Sequence, residues 1–367
     1  MPMLLRLRRI GLAAAALTLT WLPHASAAEV DFTGKRIEMI VPSSAGGSGD
    51  VLARFVAAHL QKELPGKPTI LVKNITGGGV INGANYFQKE AKPDGLMIIS
   101  STGASILTPF FRKDEDQVRF DPSTWMQFFA GPSGYVMTGS KVGGITSLKD
   151  LKMAIDAKTP LTHGTSSVAG IALLYVLALE ATGANYIPAF NVPGSDSTTG
   201  FQRGEYKING ESIASYIQIT EPLVEKGEVF PLFTVGGVDE NGNITRDPAL
   251  PDVPSFPEAY EIMFGKAPEG PTFETFKTMV TAMVPNARGI ALPPGTPPEI
   301  FAAYSEATKR AFTTPEAKEA VDKALGPFPI FYGEQAKSRL AATMQKLTPE
   351  TRDYIRKLLL ERFNVPI

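Results

Sequence analysis

The 367-residue sequence contains no cysteine, three histidines and two tryptophans. The missing thiols exclude disulfides, thiol nucleophiles and cysteine-ligated metals. A chain of this size can bury a sufficient core without covalent staples. Beyond the first thirty residues the only histidines are His59 and His163, and no H-E-x-x-H pattern is present. That makes a zinc site a poor reading. A G-x-S-x-G nucleophile elbow is also missing, since neither Gly131-Pro-Ser133 nor Gly46-Gly-Ser48 is closed by the last glycine in register. The glycine-rich segment 42–50 lacks the Gly-Lys-Ser/Thr ending of a P-loop, and Asn82 stands where a dinucleotide fingerprint starting at Gly77 needs its third glycine. No catalytic residue, metal ligand or cofactor is therefore nominated. An excess of basic charge is lacking too, with 36 Lys and Arg against 37 Asp and Glu. No nucleic-acid partner follows from such a balance.

Long apolar runs are also scarce. The one near the N-terminus, 10–22, has 13 residues, short of the roughly 20 that span a bilayer. It follows Arg6, Arg8 and Arg9 and ends at Pro23, with Ala25-Ser26-Ala27 beyond it. That order is a secretory signal peptide over 1–27. Its removal takes three arginines and no acid, leaving 33 basic and 37 acidic residues, a net of −4. The exported remainder reads as periplasmic. Over the whole sequence a hydrophobic share of 43 % and a charged share of 20 % argue for a folded chain rather than a disordered one. Its length suggests two domains.

What is present is an alternation of strands and helices. Segments 36–41, 69–73 and 96–100 read as strands, separated by helical spacing over 50–64 and 82–90. Further strands are expected at 161–163, 186–190, 206–209, 229–235, 290–292 and 328–331, with helices at 148–157 and 168–182 and an exposed loop over 236–249. This order predicts an α/β fold with parallel pairing through crossover helices. Thr296, Thr314 and Thr348 each precede a proline and are expected to cap helices.

Two strand-to-helix loops stand out, PSSAGGSGD at 42–50 and GTSSVAG at 164–170. The first turn of a helix leaves backbone N–H groups unpaired, and with the helix dipole they attract an anion. Glycine lets backbone approach such an anion closely, and hydroxyls add donors. The plainer reading of either loop alone is a capped turn. His163 adjoins the second loop. Trp125 is open to two readings, a core residue packed with Phe128 and Phe129 or an indole beside a crossing at 130–131.

Several segments resemble, in order, the solute-binding proteins of tripartite tricarboxylate transporters. Val41, Pro42, Gly46, Gly47 and Asp50 match the family's opening V-P-F-x-x-G-G-x-x-D, with Ser43 in place of phenylalanine. VKNITGGGVING at 72–83, PDG at 93–95, LPDVP at 250–254 and LPPGTP at 292–297 continue the resemblance over nearly the whole exported chain.

The resemblance implies a type II periplasmic-binding-protein fold: two α/β lobes joined by short hinge strands, with a ligand cleft between them. The expected lobes are 29–130 plus 252–367, and 131–251. It implies a non-enzymatic monomer that captures a small organic carboxylate, a di- or tricarboxylate or an aromatic acid, and delivers it to the membrane permease subunits. The alternatives are a ligand-presenting sensor subunit or an exported hydrolase or isomerase using the same cleft. Carried over by position, the ligand-binding residues are Ser43, Ser44, Ala45, Gly46 and Gly47 in the first loop and Thr165, Ser166, Ser167 and Ala169 in the second. Thr102, Gly103 and Ala104 complete the wall, with His163 and Glu211 beside it. The chain departs from the family at Asn191-Val-Pro-Gly194, and Lys207 replaces the first of two acids of which Glu211 falls near the second.

Overall fold

The computed structural model describes residues 30–46, 48–111, 117–165, 168–239 and 241–366. The expected signal peptide, 1–27, lies outside them. Among the described residues no helix is long and apolar enough to cross a membrane.

The chain opens β1 (Arg36–Val41), α1 (Ser48–Glu63), β2 (Thr69–Asn74), α2 (Ile81–Glu90), β3 (Met97–Thr102), α3 (Gly103–Phe111), β4 (Met126–Gly131). β1 pairs in parallel with both β2 and β3, as the alternation predicts. Its side chains alternate between two cores: Met39 and Val41 join the residues of α1, while Ile40 joins those of α2.

After β4 the chain crosses at 132–134 and builds a second body. Its elements are β5 (Tyr135–Ser140), α4 (Leu148–Asp156), β6 (Leu161–Thr165), α5 (Ile171–Ala181), β7 (Tyr186–Phe190), α6 (Gly194–Gln202), β8 (Ile208–Ser212), α7 (Ile213–Ser215), α8 (Glu221–Glu225) and β9 (Val229–Thr234). Here the expectation of parallel pairing holds only for β6 with β7. The sheet β8-β5-β9 is antiparallel throughout. Segment 236–249 is not the exposed loop expected, because a short hairpin, β10 (Gly237–Val238) and β11 (Ile244–Thr245), folds Asp247 fully inside.

Next come α9 (Phe256–Phe264), α10 (Pro271–Met283), β12 (Arg288–Leu292), α11 (Pro298–Phe312), α12 (Pro315–Leu325), β13 (Phe331–Tyr332), α13 (Gly333–Lys346) and α14 (Pro349–Phe363). β12 re-enters the first sheet between β3 and β4, antiparallel to both, giving the order β13-β4-β12-β3-β1-β2. α9 and α10 pack on the second body: Phe256 meets Phe233 of β9, and α10 lies along α5, which is buried from Ala172 to Leu179. From α14, Phe363 meets Tyr186 and Phe190 edge-on. The bodies are therefore linked at 132–134 and again at 284–287, where the Ser133 amide donates to the Val284 carbonyl at 3.2 Å.

Thr314 and Thr348 accept from backbone N–H groups as N-caps. Thr296 does not, because α11 starts two residues later and its hydroxyl donates to the Pro293 carbonyl instead. Trp125 is buried against Phe87 and Phe120, not Phe128 and Phe129, and its Nε1 donates to Gln88.

Candidate ligand-binding site

The first expected loop is shaped from within by Asp50, in the first turn of α1. One carboxylate oxygen accepts from the Gly46 amide and from Arg54 Nε, both at 2.9 Å, and the other from Asn74 Nδ2 at 2.9 Å. Asn74 Nδ2 also donates to the Ser43 carbonyl. Burial alone would raise the Asp50 pKa, but the bonds from Arg54, Gly46 and Asn74 outweigh it and hold the carboxyl below its usual range. Gly46 turns the loop at φ +78°, with open space where a side chain would stand. Ser44, Ala45 and Gly46 are exposed, and Ser43 turns inward with its hydroxyl buried and without a partner. Gly47 lies outside the described residues.

β3 passes into α3 with no intervening loop, so Thr102, Gly103 and Ala104 form a strand end and a helix start in one stroke. The Ser105 hydroxyl accepts from the Thr102 amide. A methyl group on Gly170, just before α5, would come 3.4 Å from Ala104 Cβ. The structure thus brings the α3 start and the turn before α5 together. Thr165 is buried at the end of β6, and Ala169 is half-buried against the second core. Ser166 and Ser167 lie outside the described residues.

His163 is a correction. Both its nitrogens are engaged by protein: Nδ1 lies 2.7 Å from the Tyr186 hydroxyl, and Nε2 accepts from the Gly210 amide at 3.1 Å. Burial lowers its pKa to about 4, so the ring is neutral and pins β6 to β8. It has no nitrogen left for a ligand. Glu211 is also buried. Its Oε1 accepts from Thr220 at 2.6 Å and from Asn209 at 3.4 Å, while Oε2 has no partner. Burial raises its pKa to about 7 against the lowering effect of those two bonds. Its neighbours belong to the second body, so it is not brought to the first loop.

A small cavity of about 30 Å³ lies where the two crossings meet the first loop. Gly49, Leu52 and Thr102 line it from the first body, Tyr135 and Ser212 from the second, and Ser133, Ala287 and Arg288 from the crossings. Arg288 is the one charged residue in that lining. It is buried, with one terminal nitrogen donating to the Leu325 carbonyl at 2.9 Å and the other to Ser133 Oγ at 3.0 Å. Burial lowers its pKa to about 10, opposed by the charges of Tyr135 and Asp247, which leaves it cationic at neutral pH.

No family model matches the sequence. Over 354 residues the chain is 24% identical to the UPF0065 protein in the gbd 5' region of Cupriavidus necator, covering 92% of this chain and 93% of that one. A stretch of 75 residues, 20% of this chain and 22% of the relative, is 37% identical to BugT of Bordetella pertussis. The periplasmic binding protein BugD superposes with a TM-score of 0.65 at 19% identity, over 88% of this chain and 97% of its own. MatC of Rhodopseudomonas palustris, solved with bound malate, gives 0.65 at 18% identity over 87% and 99%. The fold is that of the Bug- and TctC-type periplasmic binding proteins. A ligand-free TctC solute-binding protein from Polaromonas gives 0.57 at 19% identity over 88% and 98%.

Within this Bug/TctC-type fold, the sequence pointed to the first loop and the α3 start but passed over Ser133, Tyr135, Ser212 and Arg288. Arg288 carried a signal, as a lone cation directly before the apolar strand Gly289-Ile-Ala-Leu292. Buried arginines need a reason. Ser133 was visible only as a failed nucleophile elbow.

Proposed function

We propose that this chain is a periplasmic solute-binding protein that captures a small organic carboxylate between two lobes and presents it to the permease subunits of a tripartite tricarboxylate transporter. The lobes meet at the crossings 132–134 and 284–287, residues 1–27 direct export, and the cleft binds without catalysing. The observation that carries the reading is the cavity at the crossings, whose lining holds hydroxyls and a single charge, a positive one. An anion suits that lining. The malate in MatC and the adipate in a second Rhodopseudomonas palustris protein of this fold agree in class.

A thermal-shift screen of C4 to C6 mono-, di- and tricarboxylates against the exported form tests this. A ligand held at about 100 times its Kd stabilises the fold by about 2.7 kcal/mol. A melting temperature unmoved by every acid, but raised by a neutral sugar or an amine, would remove the carboxylate reading. Solution scattering with the ligand that binds should show a more compact particle if the lobes close on it.

A further inference from the structure

We propose that Arg288 is the ligand's charge partner, seating a carboxylate of the small organic acid at the floor of the cleft beside Ser133 and Tyr135. This rests on the carboxylate-binding reading above and assigns the residue that sets its charge selectivity.

Four observations lead to it. First, Arg288 is only 7% exposed, yet no carboxylate comes within ion-pair distance of it among the described residues. The nearest candidate, Asp247, accepts from the Ala249 amide with Oδ1, and its buried Oδ2 has no partner. Asp247 is packed so closely on Gly134 that a methyl group there would fall 1.7 Å from Oδ2. Second, a guanidinium has five N–H donors, and Arg288 uses one toward the Leu325 carbonyl and one toward Ser133 Oγ. Donors remain for an oxyanion, and a planar guanidinium matches a carboxylate better than any other side chain. Third, β12 holds Arg288 opposite Thr102 on one side and Gly131 on the other. That register sets the residue between the α3 start and the first crossing, at the cavity's floor. Fourth, the other polar residues of the lining, Thr102, Ser133, Tyr135 and Ser212, carry hydroxyls and no acid. A buried guanidinium with donors to spare and no carboxylate at ion-pair distance, in a cavity lined otherwise by hydroxyls and apolar groups, is what a ligand carboxylate would complete.

Arg288 also has a purely structural use. It holds the last carbonyl of α12 and lies 5.9 Å from the Phe328 ring centroid. A structural arginine and a ligand-reading one differ in what they do to charge selectivity.

The experiment uses the exported form of wild type, Arg288→Lys and Arg288→Gln. Calorimetry measures succinate, malate and adipate and the diamides of succinate and adipate, and circular dichroism checks folding. Wild type should prefer the best diacid over its diamide by at least about tenfold. Arg288→Gln should weaken the diacid by at least about thirtyfold and erase that preference, because an amide no longer differs from a carboxylate at an uncharged floor. Arg288→Lys should fall between, keeping the charge and losing the fork. A crystal structure of wild type with the best diacid should place a carboxylate within hydrogen-bond distance of the guanidinium. A folded Arg288→Gln with unchanged affinity and preference overturns the proposal alone. If that variant does not fold, a wild-type complex with both carboxylates away from Arg288 does the same. Wild type binding none of the acids removes the carboxylate reading itself, and this assignment with it.

Discussion

Asp50 in the first body and Glu211 in the second are both buried acids near strand ends, yet their surroundings treat charge in opposite ways. Asp50 receives Arg54, Asn74 and the Gly46 amide on its two oxygens, and its pKa falls despite burial. Glu211 receives Thr220 and Asn209 on one oxygen and nothing on the other, and burial raises its pKa to about 7. Burial alone therefore does not set the sign; the number of donors that meet the carboxylate does. Asp50 uses its charge to hold the first loop. Glu211 sits in a body that does not need the charge.

The largest effect should come from breaking the first half of this contrast. Asp50→Ala should cost about 3 kcal/mol at pH 7, since charge-assisted bonds to the loop are lost. A folded pKa below the unfolded value means stabilisation that is present above the unfolded pKa and lost as pH falls through the folded one. Urea denaturation at pH 7 and pH 3 should show the cost shrinking in acid; a pH-independent cost would mean that shape, not charge, is at work.

Glu211→Gln should show the opposite sign. A raised folded pKa means the folded state holds its proton longer, so wild type loses stability as pH rises from about 4.5 to 7. The variant should match wild type near pH 4 and exceed it by up to about 3 kcal/mol at pH 8. His163, depressed to about 4 by burial, works in the other direction, losing stability as pH falls from 6.5 toward 4. The two slopes oppose each other in wild type, so the Glu211 contribution emerges in the difference between wild type and variant. An unchanged stability difference across pH 4 to 8 would mean that folding does not raise the Glu211 pKa.

Thr220→Val tests the donor-count argument on a smaller scale. It removes the 2.6 Å bond to Glu211 and should cost about 1–2 kcal/mol at pH 8, less at pH 5, by the same denaturation series. The smallest effect is expected at Trp125, the sole indole once 1–27 are gone. Its ring is enclosed by Phe87 and Phe120 on the α2 side of the first sheet, so saturating ligand should leave its emission maximum unshifted. A saturable shift would tie that side of the sheet to the cleft.

The first hundred residues were legible because β2 and β3 both pair in parallel with β1, each reached through a single crossover helix or helix-and-strand unit close in sequence. The buried strand, the capped turn and the helical spacing each carry their own local pattern. β4 and β5 were missed for the complementary reason: β5 is buried at every position, so no alternation betrays it. Antiparallel pairing of β5 with β8 and β9 depends on partners far away in sequence, which local propensity does not encode. His163 misled because a histidine beside a hydroxyl-rich loop invites a ligand. The pleat would have corrected it, since His163 shares a face with the buried Leu161. Arg288 and Asp247 gain their meaning only from the meeting of the crossings, which no single segment describes.

β12 has one further consequence. It occupies the centre of the six-stranded sheet, yet it follows β4, its neighbour there, only after the whole second body. Gln127 of β4 bonds to Asn286 and to the Ala336 carbonyl, partners 159 and 209 residues away. As the chain emerges from the ribosome, 135–283 can condense while the earlier strands still lack their middle member. Closing so large a loop late raises the entropic barrier and slows folding. The first sheet is thus completed last although four of its six strands are made first, and the newborn chain stays incomplete until almost all of it exists.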